Sequence, residues 1–174
     1  MFKIIVAYDN DLVIGYKGWM PWDLPEDLQH FKETTDNSNL VMGRTTFDGL
    51  KSPLANRTTY VVSRRPLIES DNVIWISDLD QFIKEHQNSD KEFFICGGAS
   101  IYKQFLPYTN EMIISLVSGK HKSDTHFPDF NEDDFDRKLL KTYNDFKVYK
   151  YTRKEVAHAD NWYNRKKEKR FRIK

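Results

Sequence analysis

Short apolar stretches alternate with short helical ones along nearly the whole chain, and this alternation limits the possible folds more than any other feature. The pattern predicts eight strands, at Lys3–Tyr8, Asn39–Gly43, Thr58–Ser63, Asn72–Ile76, Glu92–Cys96, Glu111–Val117, Lys138–Tyr143 and Phe146–Arg153. It predicts four helices, at Pro25–Thr35, Arg44–Leu50, Asp78–His86 and Ala99–Phe105, with Ser77 and Asp80 as cap candidates for the third. This order indicates an α/β fold with a mostly parallel central sheet, helices on both faces and an antiparallel C-terminal strand.

The length and composition favour a single domain that needs no covalent cross-link. A chain of 174 residues buries about 70% of its unfolded surface on folding. The single cysteine, Cys96, excludes an internal disulfide, and the sequence contains no apolar run of the roughly 18 residues that a membrane span requires. The first nine residues end in Asp9 and are too short for a signal peptide. We therefore expect a cytoplasmic protein with one domain over residues 1–156.

A basic extension is predicted to follow that domain, over residues 157–174. It carries seven cationic side chains against two acidic ones, whereas the whole chain has a net charge of only +1. Aromatic residues alternate with these cations, a pattern that suits either nucleic acid or an acidic partner. The near-neutral total charge argues against an obligate nucleic-acid partner, so a solvated appendage is the simpler interpretation.

One acidic residue, Asp27, occupies an unusual position in the first predicted helix. Pro25 suits the first turn of a helix, and Leu24, Leu28, Phe31 and Thr35 then form an apolar stripe with Asp27 on its flank. A carboxylate at the edge of an apolar surface is partly removed from water, which raises its pKa. Enzymes use such carboxyl groups as proton donors or to anchor cationic heterocycles. The alternative is that Asp27 only complements the helix dipole.

Three strand ends carry glycine, hydroxyl or arginine residues. Gly43, Arg44, Thr45 and Thr46 follow one strand, Gly97, Gly98, Ala99 and Ser100 follow another, and Ser63, Arg64 and Arg65 follow a third. Glycine lets a ligand approach the backbone, and a helix start with a guanidinium suits a phosphate. Since ligands of α/β sheets bind beyond the carboxyl ends of the strands, the three clusters together predict a nucleotide with separated phosphates.

An ordered set of motifs over nearly the whole chain up to Glu155 resembles the dihydrofolate reductase family. These motifs are Val13-Ile14-Gly15, Met20-Pro21-Trp22, Leu24-Pro25, Asp27-Leu28, Phe31-Lys32, Val41 to Phe47, Pro53-Leu54, Arg57, Gly97 to Tyr102 and Asp124 to Pro128. The resemblance implies NADPH-dependent reduction of dihydrofolate by a monomeric enzyme. It also implies that Asp27 binds the pterin while a water near Met20 and Trp22 delivers the proton to N5.

The resemblance further implies the two binding sites residue by residue. The substrate site would comprise Ile5, Val6, Ala7, Asp27, Leu28, Phe31, Leu50, Leu54, Arg57, Cys96 and Ser115, with Arg57 on the glutamate carboxylate of the substrate. The NADPH site would comprise Ala7, Ile14, Gly15, Gly43, Arg44, Thr45, Thr46, Ser63, Arg64, Gly97, Gly98, Ala99, Ser100, Ile101 and Tyr102. The Gly97–Gly98 bond would be cis, and Asp124 would hydrogen-bond toward Gly15.

Three residues depart from the family pattern, namely Cys96, Ala99 and Ser115, and none removes a reacting group. The five histidines have no metal-ligand spacing, so no metal site is predicted. Two alternatives stay open. One is a related pyrimidine reductase of riboflavin synthesis, and the other is an enzyme with an added binding role of its basic extension.

Overall fold

Eight strands form one sheet in the computed structural model, which describes residues 1–50 and 54–154. In chain order they are β1 (Phe2–Asp9), β3 (Asn39–Gly43), β4 (Thr58–Val62), β5 (Val73–Ile76), β6 (Phe93–Ile95), β7 (Thr109–Val117), β9 (Phe135–Thr142) and β10 (Phe146–Arg153). Their spatial order is β5-β4-β3-β6-β1-β7-β10-β9, and among these eight described strands β10 alone runs in the opposite direction to the others. The predicted fold class is confirmed.

Four α-helices connect the strands: α1 (Pro25–Thr34), α2 (Arg44–Asp48), α3 (Leu79–His86) and α4 (Ala99–Phe105). Short 3-10 helices follow at Leu106–Tyr108 and Glu132–Asp134. The expected cap of α3 was wrong, because neither Ser77 nor Asp80 fills that position. The side chain of Asp78 accepts a hydrogen bond from the Gln81 amide at 3.1 Å, which satisfies a free N–H of the first turn.

The two faces of the sheet have separate hydrophobic cores, because side chains alternate along each strand. Phe2, Ile4, Val6 and Tyr8 of β1 pack on the face that α3 and α4 cover. Ile5 and Ala7 point to the other face, where Leu24 and Phe31 at α1 pack with Leu40, Met42 and Ile113. The alternation within β1 therefore decides which of its residues can contribute to the site described below.

A second, two-stranded sheet was not predicted from the sequence. It pairs β2 (Val13–Gly15) with β8 (Thr125–His126) and lies outside the main sheet. With three and two residues, these strands are too short to show a period-2 pattern. The pairing joins the loop after β1 to the loop after β7, which lie about a hundred residues apart in the chain.

No helix within residues 1–50 and 54–154 is long and apolar enough to cross a membrane. The predicted basic extension and the predicted boundary after residue 156 lie outside the described residues. Pro53, part of one matching motif, also lies outside them.

Candidate active site

Asp27 is the buried residue of α1, although the sequence placed it only at the flank of the apolar stripe. Its side chain is 7% exposed, whereas Leu28, expected in the apolar stripe, is 41% exposed. Pro25 lies in the first turn, where its missing N–H costs nothing. The helix therefore turns the carboxyl group of Asp27, rather than the Leu28 side chain, toward the sheet.

Burial dominates the electrostatics of Asp27. Removal from water raises the pKa of its carboxyl group, while hydrogen bonding from Ser115 and the proximity of His30 act in the opposite direction. Ser115 is buried on β7, next to Ala7 of β1. Within the described part of the chain, no cationic side chain lies within salt-bridge distance of Asp27. In the free protein, little therefore offsets the cost of removing the charged Asp27 carboxylate from water.

His30 lies one helical turn after Asp27. Its Nδ1 is 3.4 Å from the Thr34 hydroxyl, and its Nε2 is enclosed with no hydrogen-bond partner among the residues described. Burial lowers the pKa of His30, although Asp27 and Glu33 favour its charged form. A neutral imidazole beside Asp27 provides no full positive charge to balance the carboxylate.

Most of the predicted substrate wall lies on the same face as Asp27. Ile5 and the half-buried side chains of Ala7, Phe31, Leu50, Leu54 and Cys96 belong to one hydrophobic cluster. Val6 does not share that face, because its side chain packs with Ile4 and Tyr8 on the opposite side of the sheet. Only the backbone of Val6 can face the site, which the alternation of β1 requires.

Arg57 is held at the C-terminal end of α1 by three of its N–H groups. Its Nε donates to the Thr35 hydroxyl at 3.0 Å, one Nη donates to the Lys32 carbonyl at 2.6 Å, and the other donates to the Ala55 carbonyl. A guanidinium has five N–H donors, so one remains on each terminal nitrogen. That remaining pair can hold the two oxygens of a carboxylate.

The Cys96 thiol is not a reactive group in this site. Burial raises its pKa well above that of an ordinary cysteine, and its Sγ lies 3.4 Å from the Phe94 carbonyl oxygen. A thiol that stays protonated is a poor nucleophile. Cys96 therefore contributes to this site by packing in the apolar wall.

The two glycine junctions lie next to each other, because β3 and β6 are neighbours in the sheet. The Gly43 amide donates to the Gly97 carbonyl at 2.9 Å, and the Gly97–Gly98 bond is cis, as the resemblance implied. Gly97 has a φ of +105°, and a Cβ there would lie 3.2 Å from the Tyr102 ring. Only glycine fits this position without strain.

Beyond these junctions lies the third predicted cluster. A terminal nitrogen of Arg44 lies 3.5 Å from the Ser63 hydroxyl, and its Nε donates to Asp48 at 3.0 Å. The Ser63 hydroxyl donates to the Arg65 carbonyl at 2.7 Å, which orders the turn after β4. Arg64 is exposed beside it. The structure therefore brings together the cationic and hydroxyl side chains of two strand ends that the sequence separates by nineteen positions.

The loop that contains Met20 and Trp22 is fastened to the loop after β7. The Asp124 amide donates to the Gly15 carbonyl at 3.0 Å, and the Asp124 carboxylate accepts from the Lys17 amide at 2.8 Å. These bonds are the contact toward Gly15 that the resemblance implied. Met20 and Trp22 are both half-buried in this arrangement.

Two residues near this loop had no local sequence signal. Asp9 ends β1 fully buried, and its carboxylate lies 2.9 Å from Nδ1 of His121. The His121 ring in turn contacts the ring of Trp22, with centroids 5.0 Å apart. Asp9 and His121 are 112 positions apart in the chain, so only the fold reveals their contact.

Comparison with known proteins places the chain in a described family. The family model for dihydrofolate reductase matches residues 1–158. Among similar proteins, the dihydrofolate reductase of Buchnera aphidicola subsp. Acyrthosiphon pisum is 38% identical over 74% of this chain and 79% of its own length, and that of Bacillus subtilis is 33% identical over 76% and 78%. A solved dihydrofolate reductase from Enterococcus faecalis, complexed with NADP(H) and RAB-propyl, is 28% identical. It superimposes with a TM-score of 0.76 over 89% of this chain and 97% of that one.

Proposed function

The chain belongs to the dihydrofolate reductase family, and on that premise we propose that it reduces 7,8-dihydrofolate to 5,6,7,8-tetrahydrofolate with NADPH. The observation that carries the proposal is the buried carboxyl group of Asp27, on the same sheet face as an apolar wall that leads toward Arg57. A flat heterocycle with a glutamate tail offers a partner for each of these three features.

Asp27 anchors the pterin ring in this proposal. Its two oxygens accept hydrogen bonds from the 2-amino group and N3, which satisfies a carboxyl group that the free protein leaves with little compensation. The negative charge raises the basicity of the ring, and N5 takes its proton from a water near Met20 and Trp22. Ser115 keeps Asp27 in place through its hydroxyl group.

Arg57 binds the glutamate tail of the substrate. Its two remaining N–H groups meet the two oxygens of the α-carboxylate, while its three internal bonds hold the guanidinium in orientation. Phe31, Leu50 and Leu54 border the aminobenzoyl ring between Asp27 and Arg57. The exposed Leu28 side chain contributes to the same wall.

The residues at the three strand ends fit a dinucleotide phosphate. A Cβ on Gly98 would meet only Thr46 Oγ1, at 3.6 Å, among described atoms within 4 Å, so the backbone of Gly98 is open to a ligand. Gly43 to Thr46 and Gly97 to Ser100 would hold the pyrophosphate, and Arg44, Ser63 and Arg64 the 2′-phosphate. Tyr102 would lie close to the nicotinamide. Ala7, Ile14 and Gly15 would border the nicotinamide. When bound, NADPH supplies the hydride that pterin C6 receives.

A pyrimidine reductase of riboflavin synthesis is the second candidate for the activity. The family assignment and the position of Asp27 favour the pterin. A cytoplasmic location and a monomeric state belong to the same proposal. A binding role for the basic extension stays a prediction, since that segment lies outside the described residues.

The decisive experiment follows the loss of NADPH absorbance after dihydrofolate is added to the purified protein. We expect turnover with NADPH, and a much slower reaction when NADH replaces it, because NADH lacks the 2′-phosphate. The pyrimidine intermediate of riboflavin synthesis serves as the competing substrate. Turnover of that pyrimidine without turnover of dihydrofolate would refute the proposal.

A further inference from the structure

The end of β1 is fixed by a carboxylate that no proposed catalytic step uses. Asp9 has 0% exposure, and its Oδ1 accepts hydrogen bonds from the Asp11 amide at 2.9 Å and the Val13 amide at 3.0 Å. These two bonds shape the turn into β2 (Val13–Gly15). They leave the second oxygen, Oδ2, free to engage another part of the molecule.

That second oxygen engages His121, in the loop after β7. Oδ2 lies 2.9 Å from Nδ1, and the His121 side chain is itself largely buried. A carboxylate can only accept hydrogen bonds, so Nδ1 carries the proton in this contact and the tautomer of His121 is set by Asp9. The orientation of the imidazole ring is then fixed from the end of the sheet.

The fixed imidazole meets the indole of Trp22. The two ring centroids are 5.0 Å apart and the planes are tilted by 75°, an edge-to-face arrangement. Trp22 belongs to the hydrophobic cluster beside Ile5 and Phe31, and its Nε1 is enclosed without a hydrogen-bond partner in the described part of the protein. An enclosed N–H donor without a partner carries an uncompensated cost of desolvation.

This contact is separate from the one that Asp124 makes. Asp124 holds the backbone at Gly15, before the turn formed by Tyr16 and Trp19, and at Lys17, within that turn. His121 contacts the side chain of Trp22, which follows the turn. The two contacts therefore act on different parts of the loop.

We propose that Asp9 and His121 form a positioning pair that holds the Trp22 indole beside the reacting end of the pterin. The inference rests on the proposed function for its kinetic consequence. Neither residue belongs to the proposed substrate or NADPH site, so in this proposal both act through Trp22. Small displacements of a group next to the reacting atoms lower the rate strongly, and the pair prevents such displacements.

Two substitutions of His121 separate its two contacts. His121→Phe keeps a ring against Trp22 but cannot donate to Asp9, whereas His121→Asn can donate to Asp9 but removes the ring. We expect each to slow hydride transfer about tenfold in single-turnover measurements. The control is Lys122→Ala, an exposed neighbour in the same loop, which should leave the rate unchanged.

A double-mutant cycle with Trp22→Phe tests whether the effect passes through the indole. If His121 acts through Trp22, adding His121→Phe to Trp22→Phe causes less than a twofold further loss, so the effects are not additive. Fully additive losses would overturn the proposal, and so would variants that unfold at a lower temperature but react at the wild-type rate at 25 °C.

A second readout uses the free protein and needs no turnover. The indole N–H signal of Trp22 in a ¹H–¹⁵N spectrum is assigned by its absence from Trp22→Phe. We expect this signal to shift in both His121 variants and in Asp9→Asn, and to stay in place in Lys122→Ala. An unchanged signal would refute the positioning pair even if dihydrofolate is turned over. Failure of the wild type to reduce dihydrofolate would instead refute only the proposed function.

Discussion

The two faces of the sheet use their side chains for different purposes. On the face covered by α3 and α4, here called the aromatic face, rings pack directly on one another: Phe2 contacts Phe105 with centroids 4.9 Å apart, and Phe93 contacts Tyr60 at 5.3 Å. The opposite face, here called the cleft face, carries Asp27 and Ser115 among its buried groups. It also carries the enclosed Nε1 of Trp22, which lacks a partner among the described residues.

The contrast shows how one domain combines stability with a reactive site. Stacked and edge-to-face ring pairs stabilise a fold by more than the burial of their surface alone. The aromatic face contains many such pairs. A buried carboxyl group and an unpaired N–H lower stability, because each loses contact with water without full compensation. The packing of the aromatic face therefore offsets the stability that the polar groups of the cleft face cost. Those polar groups are the ones that a ligand can bind.

The largest effect should follow from removing a ring of the aromatic face. Phe105 is fully buried against Phe2 and Phe82, so Phe105→Ala should lower the free energy of unfolding by about 3–5 kcal/mol. Denaturant unfolding measures this loss, and exposed Leu140→Ala is the control. If the comparison of faces is right, the KM for dihydrofolate of the folded variant stays at the wild-type value. A large change in KM would show that the faces are coupled.

Asp27→Asn should have the opposite signature, with activity lost and stability gained. We expect turnover at neutral pH to fall about a hundredfold or more, the range that a single electrostatic group in an active site contributes, while NADPH still binds. Steady-state kinetics and a separate NADPH titration check both parts. Turnover equal to that of the wild type would remove Asp27 from its proposed role.

The stability that Asp27→Asn gains over the wild type should depend on pH. Because burial raises the pKa of Asp27, the folded protein binds this proton more tightly than the unfolded chain does. Stability then falls as the pH rises from the ordinary pKa of 3.8 through the raised value of the folded state. Asp27→Asn should therefore melt at a higher temperature than the wild type at neutral pH, and the difference should vanish at acidic pH.

The main sheet was predictable from the sequence because its strands are long enough to show an apolar pattern. Asn39–Gly43 and Phe146–Arg153 were predicted with the bounds that the structure shows. The pairing of β2 with β8 was missed, since strands of two or three residues carry no pattern and their contact is set by tertiary structure.

The candidate site was predictable where a residue type is unusual for its position, as with Asp27 beside an apolar stripe. The same helical spacing gave the wrong expectation for Leu28, because it identifies a stripe but not which flank the sheet covers. The contact between Asp9 and His121 had no signal at all, because it depends on where two distant loops meet.

The last and smallest effect concerns Arg57, where the cleft face combines structure and recognition. Its three hydrogen bonds to Thr35, Lys32 and Ala55 stabilise the end of α1, whereas its two remaining N–H groups suit a carboxylate. Arg57→Lys should raise the KM for dihydrofolate about tenfold, because an ammonium cannot reproduce the paired geometry.

Dihydropteroate, which lacks the glutamate tail, separates these two roles of Arg57. If Arg57 binds the α-carboxylate, Arg57→Lys leaves kcat/KM for dihydropteroate unchanged while that for dihydrofolate falls. If Arg57 only stabilises the end of α1, kcat/KM falls for both substrates, since a displaced helix also displaces Asp27. Equal losses would mean that the cleft face, like the aromatic face, uses this side chain for stability alone.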